Sequence, residues 1–501
     1  MYPPLLLELQ LSTVAFSFCN SSSCKRRLNK NFSVWVIHCF LLIAYPILYQ
    51  INAAQRRNIM NQYQAIIIGF GKAGKTLAST LAKTGWRVAV IEQSESMYGG
   101  TCINIGCIPT KTLVHDAKHS DFKTAMLRKS EVVSFLRNKN FHNLAQIENI
   151  DVINGRAEFV DEHTIRIHRP DGSQEITGEK IFINTGAQTV LPSVPGLTTT
   201  PGVYDSTGLL NLASLPEQLG ILGGGYIGVE FASMFASFGS KVTIYEAAPL
   251  FLAREDRDIA DTITSILQDQ GVEIILNAGV SKITPQDSKV QLHSAHGSRT
   301  VDALLVASGR KPAIEQLQLQ NAGVEVNELG AIIVDNRLHT SASNIWAMGD
   351  VTGGLQFTYI SLDDFRIVRD ELLGEGKRST DDRKNVPYSV FMTPPLSRIG
   401  MTEEQARASN AEIQIVTLPV AAIPRARVMN DTRGILKAII DSESQRILGV
   451  SLVCADSHEM INIVKTVMDA ELPYSVLRDQ IFTHPSMSES LNDLFSLVKE
   501  K

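Results

Sequence analysis

A glycine-rich turn between a predicted strand and a predicted helix constrains the fold of this chain most. The apolar run at residues 65–68 predicts a buried strand, and a helical stretch follows the turn. Between them, Gly69 permits a tight turn, and Gly71 lets the backbone approach a pyrophosphate at the helix N-terminus. Gly74 allows close packing of the helix on the strand, and the next predicted strand ends in Glu92, where a carboxylate can accept ribose hydroxyls. The segment therefore predicts a dinucleotide-binding βαβ unit.

The same arrangement occurs a second time. Gly223, Gly225 and Gly228 open a helix predicted to run to about residue 238, and the strand that follows ends at Glu246. Glu246 follows Gly223 by 23 residues, which is the interval between the matching residues of the first unit. Two such units indicate two bound dinucleotides, so we predict an α/β fold with two Rossmann-like dinucleotide-binding domains.

Composition narrows the class of protein further. The chain has 501 residues, of which 20% are charged and 44% hydrophobic, as in ordinary globular enzymes. Its formal net charge of -5 gives no signature of polyanion binding, so we expect no nucleic-acid partner. Six cysteines are too few for a disulfide-stapled secreted protein of this length.

Residues 1–59 need a separate interpretation. A nearly uncharged run at residues 32–51 follows Lys25, Arg26 and Arg27, and is long enough to be a signal or membrane segment. The positive-inside rule would then export the predicted dinucleotide-binding domains from the cytoplasm, where their cofactors are found. We favour the alternative, in which Met60 is the native start and residues 1–59 are translated upstream sequence. We therefore expect a cytoplasmic protein, with a membrane as partner only if the extension is native.

Two closely spaced cysteines lie directly after the first unit. Cys102 and Cys107 do not have the spacing of a zinc knuckle, and no second pair completes four ligands. A bend at the glycine-flanked start of a helix brings the sulfurs together, so a disulfide is geometrically plausible. Cys107 would then lie in the first turn, where the helix dipole favours a thiolate, with Lys111 on the same face.

This segment resembles the active site of the class I pyridine nucleotide-disulfide oxidoreductases, which include lipoamide dehydrogenase, glutathione reductase and mercuric reductase. The resemblance extends from about residue 62 to the C-terminus. It implies that the first unit binds FAD and the second a nicotinamide cofactor. It also implies that Cys102 and Cys107 form a redox-active disulfide, with Cys107 next to the flavin and Cys102 meeting the substrate.

The resemblance assigns roles to further residues. Lys111 matches the flavin-side lysine, which pairs with a glutamate matching Glu230, and Tyr226 matches an aromatic gate that moves aside for the nicotinamide. Asn184 replaces the usual alanine of an FAD-binding turn, a small departure. The expected FAD contacts are Gly69, Gly71, Gly74, Glu92, Gly100, Thr101, Lys111, Thr185, Gly186 and Asp350. The expected nicotinamide contacts are Gly223, Gly225, Tyr226, Gly228, Glu246 and Gly309.

Near the C-terminus, His484 and Glu489 resemble the family's acid-base element. There the histidine shuttles a proton to the outer thiol and the glutamate orients its ring. The family uses this region as an α+β dimerisation domain, and the histidine reaches into the partner's site, so we expect a homodimer with shared active sites. The expected domains are an extension at 1–59, an FAD domain at 60–205 and 331–385, a nicotinamide domain at 206–330 and a dimerisation domain at 386–501.

The second carboxylate bears on cofactor choice. Glu246 is followed by Ala247 and Ala248, with no arginine immediately after it. A carboxylate at this position accepts a hydrogen bond from a ribose 2'-hydroxyl and repels a 2'-phosphate. We therefore expect NADH to be preferred over NADPH.

The acceptor is less constrained. The chain ends without the C-terminal cysteine pair of mercuric reductases, which argues against efficient mercuric-ion delivery. Thr110 and the stretch at residues 356–364 resemble a bacterial subgroup related to mercuric reductase and associated with oxidant and metal stress. We expect a disulfide or metal reductase that acts on Cu(II), Hg(II) or an oxidant. Two alternatives stay open: a lipoamide or low-molecular-weight disulfide reductase, and a redox sensor without turnover.

Overall fold

The structure is a computed structural model that describes residues 61–409 and 412–499. Nearly all of these residues belong to one compact unit, Tyr63–Lys501. The apolar run at residues 32–51, like the rest of the extension at 1–59, lies outside the described residues. Among the residues that are described, no helix is both long and apolar enough to cross a membrane.

The first glycine turn forms the predicted βαβ unit. β1 (Gln62–Ile68) pairs in parallel with β2 (Val88–Glu92), and α1 (Lys72–Lys83) connects them. The apolar residues of α1 recur every three or four positions, so Leu77 and Leu81 are buried on one face against the sheet. The observed strand begins three residues before the predicted start at residue 65.

The sheet that contains this unit has the order β3-β2-β1-β6-β5-β4, with β17 paired to β6. Its other strands are β3 (Ile150–Asn154), β4 (Arg156–Phe159), β5 (Thr164–Arg169), β6 (Gly172–Ile183) and β17 (Ile345–Ala347). The strands β4, β5 and β6 form an antiparallel meander that the sequence analysis did not anticipate. Because β17 comes from a much later part of the chain, this sheet is built from two separate segments.

The second glycine turn forms the same unit again. β9 (Gln218–Leu222) and β10 (Lys241–Tyr245) pair in parallel, and α6 (Tyr226–Phe238) connects them. The helix ends at Gly239, whose φ of 107° is the left-handed cap that glycine adopts most readily. The parallel sheet has the order β11-β10-β9-β15-β8. Both predicted Rossmann-like sheets are thus present.

The remaining strands of this middle region fall into three groups. The parallel sheet is completed by β8 (Val203–Tyr204), β11 (Glu273–Ile275) and β15 (Ala303–Val306). An antiparallel sheet contains β12 (Lys282–Gln286), β13 (Lys289–Ser294) and β14 (Gly297–Val301). A separate antiparallel pair is formed by β7 (Ala187–Thr189) and β16 (Arg310–Pro312).

An antiparallel sheet of order β18-β19-β22-β21-β20 forms the C-terminal region. Its strands are β18 (Tyr388–Val390), β19 (Leu396–Gly400), β20 (Ile413–Pro419), β21 (Ile435–Asp441) and β22 (Ile447–Val453). A separate core packs this sheet against the last helices, with Leu452 and Phe495 fully buried. This is the α+β region that the sequence analysis expects.

The other helices complete the chain. They are α2 (Thr101–Asn104), α3 (Cys107–Asp116), α4 (Phe122–Ala145), α5 (Ser206–Leu209), α7 (Arg257–Asp269), α8 (Thr358–Leu373), α9 (Glu403–Ala408), α10 (Pro424–Val428), α11 (Ser457–Asp469), α12 (Ser475–Asp479) and α13 (Ser490–Ser496). Short 3-10 helices lie at Glu95–Met97, Leu319–Ala322, Gly349–Thr352, Thr380–Asp382 and Val420–Ala422.

Candidate redox-active site

The first glycine turn presents a fixed carboxylate. Gly69 has a φ of 103°, and a Cβ there would lie 2.3 Å from the backbone oxygen of Asn184, so only glycine fits. The Glu92 carboxylate accepts backbone N–H groups of Phe70 at 3.0 Å and Ser94 at 3.2 Å. Burial raises the pKa of Glu92, and these backbone donors oppose that rise. The remaining lone pairs of the carboxylate are available for ribose hydroxyls.

The second turn repeats this geometry. A Cβ on Gly228 would lie 2.1 Å from the backbone oxygen of Gly223. Because glycine has no Cβ, the helix can pack closely on the strand at this position. The Glu246 carboxylate accepts backbone N–H groups of Gly224 and Ala248, both at 2.8 Å. The two units therefore hold equivalent carboxylates by equivalent bonds.

A cavity of about 2730 Å³ opens beside the first turn. This volume exceeds the roughly 300–1,000 Å³ of a usual small-molecule pocket. All the predicted FAD contacts except Gly74 line it, whereas Gly74 directs its backbone N–H to Asn184. Of the predicted nicotinamide contacts, Tyr226 and Gly309 line it and the others do not.

Two polar groups in the cavity wall fit an FAD molecule. The hydroxyl of Thr185 is buried and has no hydrogen-bond partner in the described part of the chain. The half-buried carboxylate of Asp350 accepts no hydrogen bond from the described residues, and burial raises its pKa. Because buried polar groups are normally paired, these two groups fit a ligand rich in hydroxyls and amides, such as the ribityl chain and the ring of a flavin.

Asn184, which the sequence analysis treats as a small departure, joins the two chain segments of the first sheet. Its Oδ1 accepts the backbone N–H of Gly74 at 3.0 Å, and its Nδ2 donates to the backbone oxygen of Met348 at 2.7 Å. All of these atoms are buried. The side chain therefore fixes the first turn of α1 relative to the end of β17.

Replacing Asn184 with alanine is expected to lower the free energy of unfolding by about 2 kcal/mol, because two buried backbone groups lose their partners. FAD retention should fall with it. Urea unfolding and the flavin content after gel filtration measure both effects. Asn211→Ala is the matched control, because the Asn211 amide donates to Thr207 at an exposed position. Equal unfolding free energies for the two variants would contradict this role of Asn184.

The paired cysteines lie on two consecutive helices, and the bend between them is at the glycine-flanked start of the second, as the sequence analysis expects. Cys102 is in α2 and Cys107 begins α3. The backbone N–H of Ile105 donates to Thr101, which closes the last turn of α2, and Gly106 then redirects the chain into α3. Both cysteines are free thiols, so the structure describes the reduced pair, and the disulfide stays a prediction.

The two thiols differ in acidity. A hydrogen bond from Cys102 lowers the pKa of Cys107 to about 6 against the effect of burial, and Thr358 and the charge of Lys111 act in the same direction. The Thr358 hydroxyl lies 3.7 Å from the Cys107 sulfur. The same hydrogen bond and burial raise the pKa of Cys102. The environment of the pair therefore favours the thiolate on Cys107 and the proton on Cys102.

An ion pair borders the thiols. The Lys111 ammonium contacts both carboxylate oxygens of Glu230, at 3.0 and 2.8 Å, and lies 4.5 Å from the centre of the Phe391 ring. The backbone N–H of Phe391 donates to the same carboxylate at 2.8 Å. Phe391 lies in no recognisable sequence motif, and the sequence analysis did not identify it as part of the site. The structure thus brings Lys111 and Glu230 together and fixes both against the C-terminal region.

The C-terminal pair forms within the chain but away from the thiols. Nδ1 of His484 lies 2.9 Å from the Glu489 carboxylate. The His484 side chain is 74% exposed, and it is not among the described residues that line the cavity with Cys102 and Cys107. One chain alone therefore does not bring His484 to its own thiols.

Comparison with known families identifies this architecture. Residues 63–364 match the family described as pyridine nucleotide-disulphide oxidoreductase, and residues 386–495 match its dimerisation domain. The chain belongs to the pyridine nucleotide-disulphide oxidoreductases. The family resemblance and the fold class predicted from the sequence are confirmed.

Individual relatives agree with this assignment. The chain is 78% identical over 441 residues to the probable pyridine nucleotide-disulfide oxidoreductase RclA of Escherichia coli (strain K12), covering 88% of this chain and 100% of the relative. It is 31% identical over 451 residues to a mercuric reductase of Bacillus cereus, covering 86% and 70% respectively. A solved structure, described as a Cu(II) complex of the HOCl-induced flavoprotein disulfide reductase RclA from Escherichia coli, matches with a TM-score of 0.87 and 78% identity, covering 88% of this chain and 100% of that chain.

Membership fixes the general biochemistry. This pyridine nucleotide-disulphide oxidoreductase is a flavoprotein that uses FAD and a nicotinamide cofactor. Its dimerisation domain supports a homodimer. The predicted likeness to a bacterial subgroup related to mercuric reductase is confirmed as well.

Proposed function

We propose that this oxidoreductase passes electrons from NADH to the pair Cys102 and Cys107 and on to a thiol-reactive acceptor in stress defence. The acceptor is a soft metal ion such as Cu(II) or Hg(II), or an oxidant. The observation that carries the proposal is a pair of neighbouring thiols on the wall of an open cavity, in which the pKa of Cys107 is lowered and that of Cys102 is raised. When bound, FAD supplies the transfer of two electrons from the nicotinamide to the disulfide.

The sulfur chemistry balances with two electrons per cycle. Reduction breaks the bond between the two sulfurs, and with one proton it gives the Cys107 thiolate and the Cys102 thiol. When Cys102 loses its proton, the two thiolates transfer two electrons to the acceptor and the disulfide forms again. Two Cu(II) ions then become two Cu(I) ions, or one Hg(II) ion becomes Hg(0).

The donor set favours a soft ion over a hard one. Two thiolates prefer Cu and Hg to ions such as Mg²⁺, which take oxygen ligands. No cluster of three or more histidine, cysteine, aspartate or glutamate side chains suited to a metal occurs in the described ranges. The Cu(II) complex of the relative RclA supports the same class of acceptor.

A panel of acceptors tests the proposal. NADH oxidation is measured with Cu(II), Hg(II), hypochlorous acid, lipoamide, glutathione disulfide and oxygen as separate acceptors. We expect a metal ion or the oxidant to be turned over fastest, and Cys102→Ser to lose that turnover by about 10³-fold or more. Cys454→Ala is the control, because Cys454 is a fully buried thiol outside the cavity. Lipoamide as the best acceptor would indicate a lipoamide dehydrogenase instead, and no turnover at all would indicate a sensor.

The fixed carboxylate of Glu246 predicts the choice of nicotinamide. Its two oxygens are held by backbone N–H groups, so it cannot swing away from a 2'-phosphate without losing both bonds. We expect kcat/KM for NADH to exceed that for NADPH by about ten-fold or more, the effect of one unfavourable charge contact. Steady-state kinetics with both cofactors measure this. A preference for NADPH would refute it.

Because NADH is a cytoplasmic reductant, we propose that the protein acts in the cytoplasm.

A further inference from the structure

A buried carboxylate that the redox chemistry does not use lies beside the predicted gate. The Glu255 side chain is fully buried. The hydroxyl of Tyr226 donates to its Oε1 at 2.6 Å, and the hydroxyl of Tyr388 donates to the same oxygen. The two hydroxyl oxygens are 3.1 Å apart, and since each has one proton, both protons go to the carboxylate.

The donors keep their protons. Burial and the negative charge of Glu255 raise the pKa of Tyr226 to about 12, and they raise the pKa of Tyr388 as well. Arg398 completes the set, with Nη1 3.4 Å from the second carboxylate oxygen. A buried charge is tolerated only when it is paired in this way. With Tyr226 in its present position, both carboxylate oxygens of Glu255 therefore have partners.

Glu255 itself is fixed, because the next residues are bound to the C-terminal sheet. The buried ammonium of Lys437 contacts the carboxylates of Asp256 at 3.1 Å and Asp258 at 2.9 Å. The backbone N–H of Glu403 donates to Asp256 at 2.9 Å. The chain next to Glu255 is therefore held in place, and we expect Tyr226 to be the partner that moves.

The tyrosine partners of Glu255 also connect with the thiols through stacked rings. The Tyr226 and Tyr388 rings lie 5.3 Å apart, Tyr388 lies 6.4 Å from Phe357, and Phe357 lies 5.1 Å from Tyr359. Thr358 lies between Phe357 and Tyr359 in the sequence, and its hydroxyl is 3.7 Å from the Cys107 sulfur. These side chains line one cavity, so the gate, the thiols and the C-terminal sheet share a wall.

We propose that Glu255 is a positioning residue that latches Tyr226, with Tyr388 as the second donor and ring support, and so holds the nicotinamide gate closed until the cofactor displaces it. The inference rests on the proposed role of Tyr226 as that gate. The hydrogen bonds to Glu255 lower the free energy of the closed state. Because only molecules with an open gate bind the nicotinamide, the apparent affinity falls in proportion to the open fraction. Removing the latch therefore raises affinity without changing the hydride-transfer chemistry.

The test uses the FAD-loaded dimer of three variants. Tyr226→Phe keeps the ring and removes the hydrogen bond to Glu255, and we expect it to bind NAD⁺ about ten-fold more tightly by calorimetry. Tyr388→Phe removes one of the two donors and should give a smaller gain, about three-fold. Tyr63→Phe is the matched control, because its hydroxyl donates to the carboxylate of Asp151 at 2.8 Å and neither residue lines the cavity. Its affinity should equal that of the wild type.

Stopped-flow reduction of the flavin by NADH separates binding from chemistry. We expect both variants, Tyr226→Phe and Tyr388→Phe, to reach half-saturation at a lower NADH concentration than the wild type. The limiting rate of Tyr388→Phe, whose side chain is not among the expected nicotinamide contacts, should equal that of the wild type. Unchanged or weaker affinity in Tyr226→Phe and Tyr388→Phe, with flavin content and thermal stability retained, would overturn the latch. Failure of NADH to reduce the wild-type flavin would overturn the proposed function and the latch together.

Discussion

Replacing Cys102 with alanine is expected to move the titration of the Cys107 thiolate from about 6 towards the ordinary thiol pKa of 9.0, and to abolish acceptor reduction. The hydrogen bond from Cys102 is the largest cause of the lowered pKa. Thr358 and Lys111 still favour the thiolate in the variant, so the pKa should stop short of 9.0. The thiolate is present above its pKa and absent below it. At pH 7 its population should therefore fall roughly ten-fold or more.

Cys102→Ser separates the two roles of Cys102. A serine hydroxyl still donates a hydrogen bond to the Cys107 thiolate, so the pKa of Cys107 should stay closer to 6 than in Cys102→Ala. The hydroxyl cannot form a disulfide, so acceptor reduction should be lost equally in both variants. The pair of variants therefore distinguishes a hydrogen-bond donor from a reacting thiol at one position.

The measurement is the long-wavelength charge-transfer absorbance between the Cys107 thiolate and bound FAD, followed as a function of pH in each variant. An unchanged midpoint near 6 in Cys102→Ala would show that Lys111 and the helix N-terminus set the acidity of Cys107 without Cys102. Full acceptor turnover in Cys102→Ser would refute the dithiol mechanism. A band that is absent from both variants would mean that Cys107 does not face the flavin.

The parts of this protein that could be predicted from sequence are those encoded over short stretches. The turn at Gly69, the helix after it and the carboxylate at Glu92 follow from local patterns, and the structure has them at the expected residues. The second unit repeats the pattern at Gly223 and Glu246, and its observed strand, Lys241–Tyr245, ends directly before Glu246. Lys111 and Glu230 were paired only through the family resemblance, since 119 residues separate them.

The parts that could not be predicted depend on contacts between distant segments. Asn184 bonds to Gly74, which is 110 residues away, and to Met348, which is 164 residues away. Glu255 accepts a hydrogen bond from the hydroxyl of Tyr388, which is 133 residues away in the sequence. No local pattern marks such a residue, because its partners become neighbours only when the sheets have assembled. The bend before Cys107 was expected from its flanking glycines, whereas the short helix α2 that contains Cys102 was not.

The last prediction concerns which chain supplies the acid-base histidine. The His484 side chain is 74% exposed, and Ile481 beside it is 97% exposed, an unfavourable state for an isoleucine unless another surface covers it. Glu489 holds Nδ1 of the ring and leaves Nε2 free to transfer a proton. These features, together with the dimerisation domain, support a shared site in which the partner subunit's His484 serves Cys102.

Mixing two inactive variants decides the matter. His484→Gln homodimers should lose about 10²- to 10⁴-fold in acceptor turnover, and Cys102→Ser homodimers should lose it entirely. Random reassembly of equal amounts gives half heterodimers, each with one intact shared site, so about a quarter of wild-type activity should return. If His484 served the thiols of its own chain, every site in the mixture would carry one defect and no activity would return. His458, which does line the cavity of its own chain, is the rival base. His458→Gln should therefore stay active as a homodimer, and its inactivation together with an absence of recovery in the mixture would transfer the role to His458.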